Sequence, residues 1–367
     1  MPIFMDRHDL PEAVTAEAVA KVHQEDLKIQ DQYGCRGLTY WFDEKRGTAF
    51  CLIEAPEESA VKTMHNQAHG MIPNQIIEVD THVVNAFLGR ITDPAGKKGE
   101  MNIINEPAFR TIMITSLQDA LIWTAKVGRD KVQSFITQHN HIIRQSIQQF
   151  GGQEVKCQQG GFIVSFQSIT NGLQCARAIQ NKMQELDDPE IDLRIRIGIS
   201  AGSPVNESPE LFGQTISLAQ QLCDIATSGQ IVISSEIREE FSEEFPAIFY
   251  DDTIRVLNRG NEKFLKTMIE VIESWWDVTD FNIREFARKL SLSKTQLYRK
   301  VTSLSGFSPN DFIKEYRLKK AAEAITKQEG NISEIAYWSG FNSPSYFSKC
   351  FLERFGILPS SFAASIS

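Results

Sequence analysis

NIREFARKLSLSKTQLYRKV, residues 282–301, is answered 49 positions later (331 − 282 = 49) by NISEIAYWSGFNSPSYFSKCF, residues 331–351. Each copy opens on an Asn and places a Glu three residues on, Glu285 and Glu334, a pairing that satisfies the first free backbone donors of a helix. A short helix, a turn and a second helix are expected in both. The turns fall at Leu290–Ser293 and Ser339–Asn342, and the second helices at Lys294–Leu304 and Ser343–Arg354. The copies close alike, on Gly306-Phe-Ser-Pro309 with Phe312 and on Gly356-Ile-Leu-Pro359 with Phe362. Glycine suits the left-handed residue that ends a helix, and proline the first turn of the next. Between them PNDFIKEYRLKKAAEAITKQ, residues 309–328, predicts one amphipathic helix with Phe312, Ile313, Tyr316, Ala321 and Ile325 turned inward.

The repeat is therefore a helix-turn-helix used twice. In such a unit the second helix enters the DNA major groove, and its outward residues are small or long and polar. The first copy offers Lys294, Thr295, Gln296, Arg299 and Lys300; the second offers Asn342, Ser343, Ser345, Ser348 and Lys349. Leu297, Val301, Phe347 and Phe351 fall on the inner face. Charge agrees with this placement. Of the 38 Lys+Arg and 47 Asp+Glu, residues 261–367 hold 15 and 12 (+3), leaving 23 and 35 (−12) to residues 1–260. A phosphate-binding surface belongs to the C-terminal part.

On SKTQLYRKV, YRLKKAAEAI and ISEIAYWSGFNSPSYFSKCFLERFG followed by Pro359, the stretch 262–366 resembles the DNA-binding domain of the AraC/XylS family. The resemblance implies two recognition helices of one polypeptide in successive major grooves of double-stranded DNA, with RNA polymerase as a further partner.

Upstream, past a Gly/Pro/Lys-containing linker near Asp93–Gly99, strands alternate with helices. Strands are expected at Arg110–Leu117, Glu154–Cys157, Gly161–Phe166 and Leu193–Ala201, and helices at Asp130–Phe150 and Ile169–Leu186. The segments GRDKVQSFITQHNHIIRQSIQQFGGQEVKCQQGGFIVSF, LRIRIGISAGSPV and ELFGQTISLAQQLCDIATSGQIVIS resemble a class III nucleotide cyclase domain. That chemistry needs two metal-binding aspartates. The matching positions here are Ser116 and Gly160, and the family's late Asn and Arg fall on Ser217 and Gln221. The resemblance thus implies a pseudo-cyclase with no enzymatic activity, serving as a homodimerisation module or keeping a pocket for a nucleotide or other ligand.

At the N-terminus a strand (Pro2–Arg7), a helix (Thr15–Gln32), a hairpin (Gly37–Asp43, Gly47–Glu54), a helix (Pro56–His69) and a strand (Gln75–Val79) follow the order βαββαβ of a ferredoxin-like sandwich. Five of the seven histidines, His8, His23, His65, His69 and His82, lie here. Imidazole is a usual ligand of nickel, zinc and copper. MPIFMDRHDLP, the Val22–Asp26 segment, CLIEAP and His65-Asn-Gln-Ala-His69-Gly70 resemble a small bacterial domain family, some members of which are nickel-binding or nickel-responsive. A divalent transition metal, Ni or Zn, is expected on His8, His23 and His65, with Cys51, His69, Glu25 or Asp26 completing the set.

The expected fold is multidomain α+β. A ferredoxin-like sandwich (1–88), a linker (89–108), a cyclase-like α/β domain (109–250) and a second linker (251–260) precede an all-α double helix-turn-helix (261–367). The six cysteines show no C-x-x-C spacing, so neither a zinc knot nor a disulfide framework is expected. No run of eighteen apolar residues and no secretory pattern is present, so a soluble, cytoplasmic chain without membrane association is expected. The reading is a transcription regulator controlled by a metal or small-molecule effector.

Overall fold

The computed structural model describes residues 1–94, 101–158, 160–186, 194–241 and 252–366. The N-terminal unit runs β1 (Ile3–Asp9), α1 (Ala16–Ile29), a 3-10 turn, β2 (Arg36–Asp43), β3 (Thr48–Glu54), α2 (Glu58–Ala68) and β4 (Gln75–Glu78). Its sheet is antiparallel in the order β2-β3-β1-β4, the ferredoxin-like arrangement expected. Thr15 caps α1 by accepting the Ala18 N–H. The two helices cover one sheet face, where Val19, Ala20, Val61 and Met64 meet Phe4, Tyr40, Phe42 and Ile53. A further helix, α3 (Thr81–Leu88), had no counterpart in the sequence reading; Asp80 caps it and left-handed Gly89 ends it.

The central unit is β5 (Arg110–Leu117), α4 (Ala120–Val127), α5 (Arg129–Gln149), β6 (Gln153–Gln158), β7 (Gly161–Phe166), α6 (Ile169–Glu185), β8 (Ile195–Gly202), α7 (Gly213–Ile225), β9 (Ile231–Ile233), α8 (Ser235–Phe241) and β10 (Ile254–Val256). The strand order is β10-β9-β8-β5-β7-β6, with β8, β9 and β10 parallel. Alternation along β5 sends Met113 toward the core formed with α5 and α6, and Ile112 and Ile114 to the opposite face. That second face is covered by α7 and by the N-terminal sheet: Met5, Trp41, Phe50, Leu52 and Ile77, with Val84 and Phe87 of α3, share one core with Ile112, Ile114 and Phe212. The four-stranded and six-stranded sheets thus share one core, to which α3 and α7 also contribute.

The stretch expected as the first linker is only partly a tether. Ile104 and Ala108 are buried, and the Tyr40 hydroxyl donates to the Asn102 carbonyl (3.0 Å) while accepting the Ile104 N–H (2.9 Å). Residues 95–100 lie outside the described residues, as do Gln159, Leu193 and part of the second linker.

The C-terminal unit begins with α9 (Arg259–Trp275), whose Leu265, Met268 and Ile272 pack on Leu222 and Ile225 of α7. Two helix-turn-helix units follow, α10 (Ile283–Lys289) with α11 (Lys294–Ser305), and α13 (Ile332–Trp338) with α14 (Pro344–Phe355). They are joined by α12 (Pro309–Thr326) and closed by α15 (Pro359–Ile366). The tight turns carry a left-handed residue at matching positions, Ser291 (φ 55°) and Gly340 (φ 73°). Helix α12 is the spine: Ile313 enters the first unit's core, and Leu318, Ala321 and Ile325 enter the second's. The second unit is also fastened to the central domain. Ile122 of α4 sits in its core, and Arg354 holds Glu315 through two bonds (2.6 and 2.8 Å) and Asp119 at 2.9 Å. Among the described residues no helix is long and apolar enough to cross a membrane.

Candidate metal centre and nucleic-acid interface

Strand alternation on β1 turns Phe4, Asp6 and His8 toward the helices, and α1 and α2 bring His23, Asp26, His65 and His69 to meet them. His65 is at the centre. Its Nε2 lies 2.8 Å from Asp6 Oδ2, and its Nδ1 lies 3.0 Å from Asp26 Oδ1 and 3.2 Å from His69 Nε2. His69 Nε2 is 3.1 Å from Asp26 Oδ1, and His8 Nε2 is 3.6 Å from Asp6 Oδ1. The Cys51 N–H donates to Asp6 Oδ1 at 2.9 Å. Two triads, Asp6/His8/Cys51 and Asp26/His65/His69, each bring their ligand atoms within 4.8 Å of one another. A cavity of about 310 Å³ borders the cluster, walled by Leu10, Val14, Val19 and Val22.

Burial alone would raise the Asp6 carboxyl, but the His8 and His65 imidazoles outweigh it and hold Asp6 well below the usual carboxylate range. His65 shows the reverse balance: burial lowers it, the two carboxylates win, and it rises to about 10. Burial pushes His23 down, and burial pushes the Cys51 thiol up, with Asp6 and Asp26 adding to that rise.

Of the expected ligands, His8, His65, His69, Asp26 and Cys51 come together. His23 stands at the edge against Tyr40 (ring centroids 4.8 Å), its Nδ1 buried without a hydrogen-bond partner. Glu25 does not join them; it is exposed and bonded to Lys28 at 2.6 Å, because it leaves α1 on the solvent side. Asp6 was missed in the sequence, although its i, i+2 spacing from His8 on a strand was the available signal. This donor set of imidazole nitrogens, carboxylates and a thiol suits a divalent transition metal, and the unpartnered His23 Nδ1 adds an imidazole nitrogen with no protein bond to break.

On α11, Lys294, Thr295, Gln296 and Arg299 are exposed. Gln296 is partly committed, since its Oε1 accepts the Ser293 N–H in a capping box. Lys300 turns away from the exposed face, with its Nζ over the Phe264 ring of α9 at 4.7 Å. In the second unit, Asn342 just before α14 and Ser345 and Lys349 on it are exposed, Ser348 is half-buried, and Ser343 caps the helix by accepting the Tyr346 N–H. Two residues that the polar criterion passed over, Tyr298 (53% exposed) and Tyr346 (54%), project from the same helices.

Residues 286–365 match the model of a family described as "Helix-turn-helix domain". The HTH-type transcriptional activator RhaS of Mannheimia succiniciproducens is 34% identical over 94 residues, which are 26% of this chain and 35% of that protein. The C-terminal segment is an AraC-type helix-turn-helix domain. Residues 4–79 match "Nickel responsive protein SCO4226-like". Histidine kinase P4 of Formosa agariphila is 39% identical over 102 residues (28% of this chain, 7% of that protein). An adenylate cyclase of Lachancea kluyveri is 27% identical over 159 residues (36% of this chain, 8% of that protein). The chain therefore spans between 7 and 35% of the length of these relatives.

Beside the AraC-type domain, the central domain is cyclase-like. Ser116 is half-buried, Gly160 abuts Leu117, and Leu117 packs with Val132 and Phe135. Ser217 and Gln221 on α7 lie 3.5 Å apart, Nε2 to Oγ. Asp119, the carboxylate nearest in sequence to Ser116, is bonded to Arg354.

Proposed function

We propose that this chain is a DNA-binding transcription regulator in which the AraC-type domain reads duplex DNA, the N-terminal domain takes up a divalent transition metal as its signal, and the central domain is a non-catalytic scaffold between them. The observation that carries the DNA reading is the pair of helices α11 and α14, capped alike, set on one spine helix and presenting exposed Lys294, Thr295, Arg299, Asn342, Ser345 and Lys349. Such side chains supply both phosphate positioning and base-edge contacts. Absence of carboxylates at Ser116 and Gly160, and Leu117 abutting Gly160, support a scaffold role.

His8, His65 and His69, with Asp6, Asp26 or Cys51, would hold the metal, and His23 stands ready at the edge. A cation held there would supply Lewis acidity in competition with the proton on His65, and these side chains would tie β1, α1 and α2 to it. Because that sheet shares a core with the central sheet, which in turn packs on α9, a change in strand position has a packed route to the DNA-reading unit.

The test is fluorescence anisotropy of the full chain on duplexes selected from a random library, after chelation and after adding nickel or zinc. Tight binding that weakens steeply with salt supports the DNA reading. A shift in affinity on metal addition that is lost in His65→Ala supports the signal. No duplex selected above background would sink the first, and metal-indifferent binding the second.

A further inference from the structure

The cavity of about 310 Å³ beside the histidine cluster is lined by two kinds of side chain. Leu10 and Val14, on the segment joining β1 to α1, and Ala18, Val19 and Val22 of α1 are aliphatic, and Met71, 36% exposed, adds a thioether chain. The rest is mostly imidazole, and its polar atoms are largely committed. Both ring nitrogens of His65 face carboxylates, and His69 Nδ1 accepts the Met71 N–H at 3.1 Å while its Nε2 engages Asp26. His8 and His23 are left over: His8 reaches Asp6 only at 3.6 Å, and His23 forms no hydrogen bond among the described residues.

A water needs about two to four polar partners to stay ordered, and the aliphatic side chains offer none. An apolar cavity of about 150 Å³ already takes up benzene, so this one has room for a fused pair of rings. Among the described residues the lining holds one carboxylate, Asp26, and no Lys or Arg. An anionic head would therefore lose its hydration, gain no cation and meet a like charge. The segment at Leu10–Val14 also carries Ala13 at φ 72°, a left-handed conformation that alanine rarely takes, and strain of this kind collects where a chain clamps a ligand.

We propose that this cavity binds an uncharged, largely apolar organic molecule of benzene to naphthalene size, its body against Leu10, Val14, Val19 and Val22 and a hydroxyl turned to His8 or His23. Seated there, it touches β1, α1 and α2, the elements that carry the candidate metal ligands, yet it needs no metal. The N-terminal domain then has an organic input beside the proposed ion.

The experiment is isothermal titration calorimetry on the full chain in chelator, with 2-naphthol as the uncharged probe and 2-naphthoate as the same ring system bearing a carboxylate. Ala18→Trp sets an indole at an exposed position of the lining, and Val22→Asn sets an amide at a half-buried one. Expected is saturable one-site binding of 2-naphthol, abolished by Ala18→Trp and weakened about tenfold by Val22→Asn, with 2-naphthoate at least about tenfold weaker on the parent, as desolvation of an unpaired polar or charged group requires. Both variants are expected to melt with the parent; if one does not, the other decides. No saturation by 2-naphthol, binding indifferent to the variants, or 2-naphthoate binding as tightly as 2-naphthol overturns the proposal. Metal and DNA are both absent from this measurement, so its failure is distinct from the failure of either reading above.

Discussion

Replacing His65 with alanine removes the imidazole to which the buried carboxylates of Asp6 and Asp26 are both bonded, at 2.8 and 3.0 Å. Breaking a buried ion pair from one side costs about 3–5 kcal/mol, because the remaining charge stays desolvated. The surroundings reduce this. Asp6 keeps the Cys51 N–H at 2.9 Å and His8 at 3.6 Å, and Asp26 keeps His69 at 3.1 Å. The lower end of the range, about 3 kcal/mol, is therefore expected for the metal-free protein. For a cooperative unit of this size that corresponds to roughly 6–12 °C in melting temperature, at about 2–4 °C per kcal/mol. The assay is differential scanning calorimetry of the full chain in chelator, then with nickel at a hundredfold its dissociation constant. Nickel is expected to stabilise the parent by about 2.7 kcal/mol and the variant by none of it. If the variant melts with the parent in chelator, the carboxylates are not held as the distances imply. An equal nickel shift in both proteins would remove His65 from the ligand set.

Three further outcomes are expected. Arg299→Ala and Lys349→Ala should each weaken duplex binding across sequences and lower the slope of log affinity against log salt by about 1, whereas changes at Asn342 or Tyr346 should alter which sequences are selected; titrations at several salt concentrations separate the two. Gly340→Ala places a Cβ 2.7 Å from the Trp276 carbonyl oxygen at φ 73°, so a loss of about 2 kcal/mol, read by thermal melting, should accompany weakened DNA binding. His139 is buried with Nε2 unpartnered, and burial lowers its pKa to about 4. Unfolded chains take up that proton near pH 6.5, so its contribution is full above 6.5 and falls by about 3 kcal/mol as pH drops toward 4. His139→Leu should flatten that acid limb in denaturation curves across the interval, and parallel curves for the two proteins would refute the assignment.

The helical repeat was legible because its signals are local. Asn331 with Glu334 makes a capping box, Asn282 caps α10, and Gly306 and Gly356 take left-handed conformations. The strand pattern Arg110–Leu117 was legible from its β-branched and apolar run. What escaped depends on tertiary neighbours. Asp6 reads as an ordinary strand carboxylate until α1 and α2 fold over it. Lys300 sits on a face that looks free until α9 supplies Phe264. Ile122 lies in a stretch with no evident capping residue, and its burial comes from the second helix-turn-helix unit over two hundred residues on.

The core shared by the first two domains bears on how the chain comes apart. Trp41, Phe50, Leu52 and Ile112 belong to one apolar layer, so no cut between the domains leaves either half with a wettable surface. The pair is expected to open as a single foldon and to appear as one protected block in native-state hydrogen exchange, with amides from β1 and β5 opening together. A ligand gripping the histidines would then slow exchange in strands that it never touches.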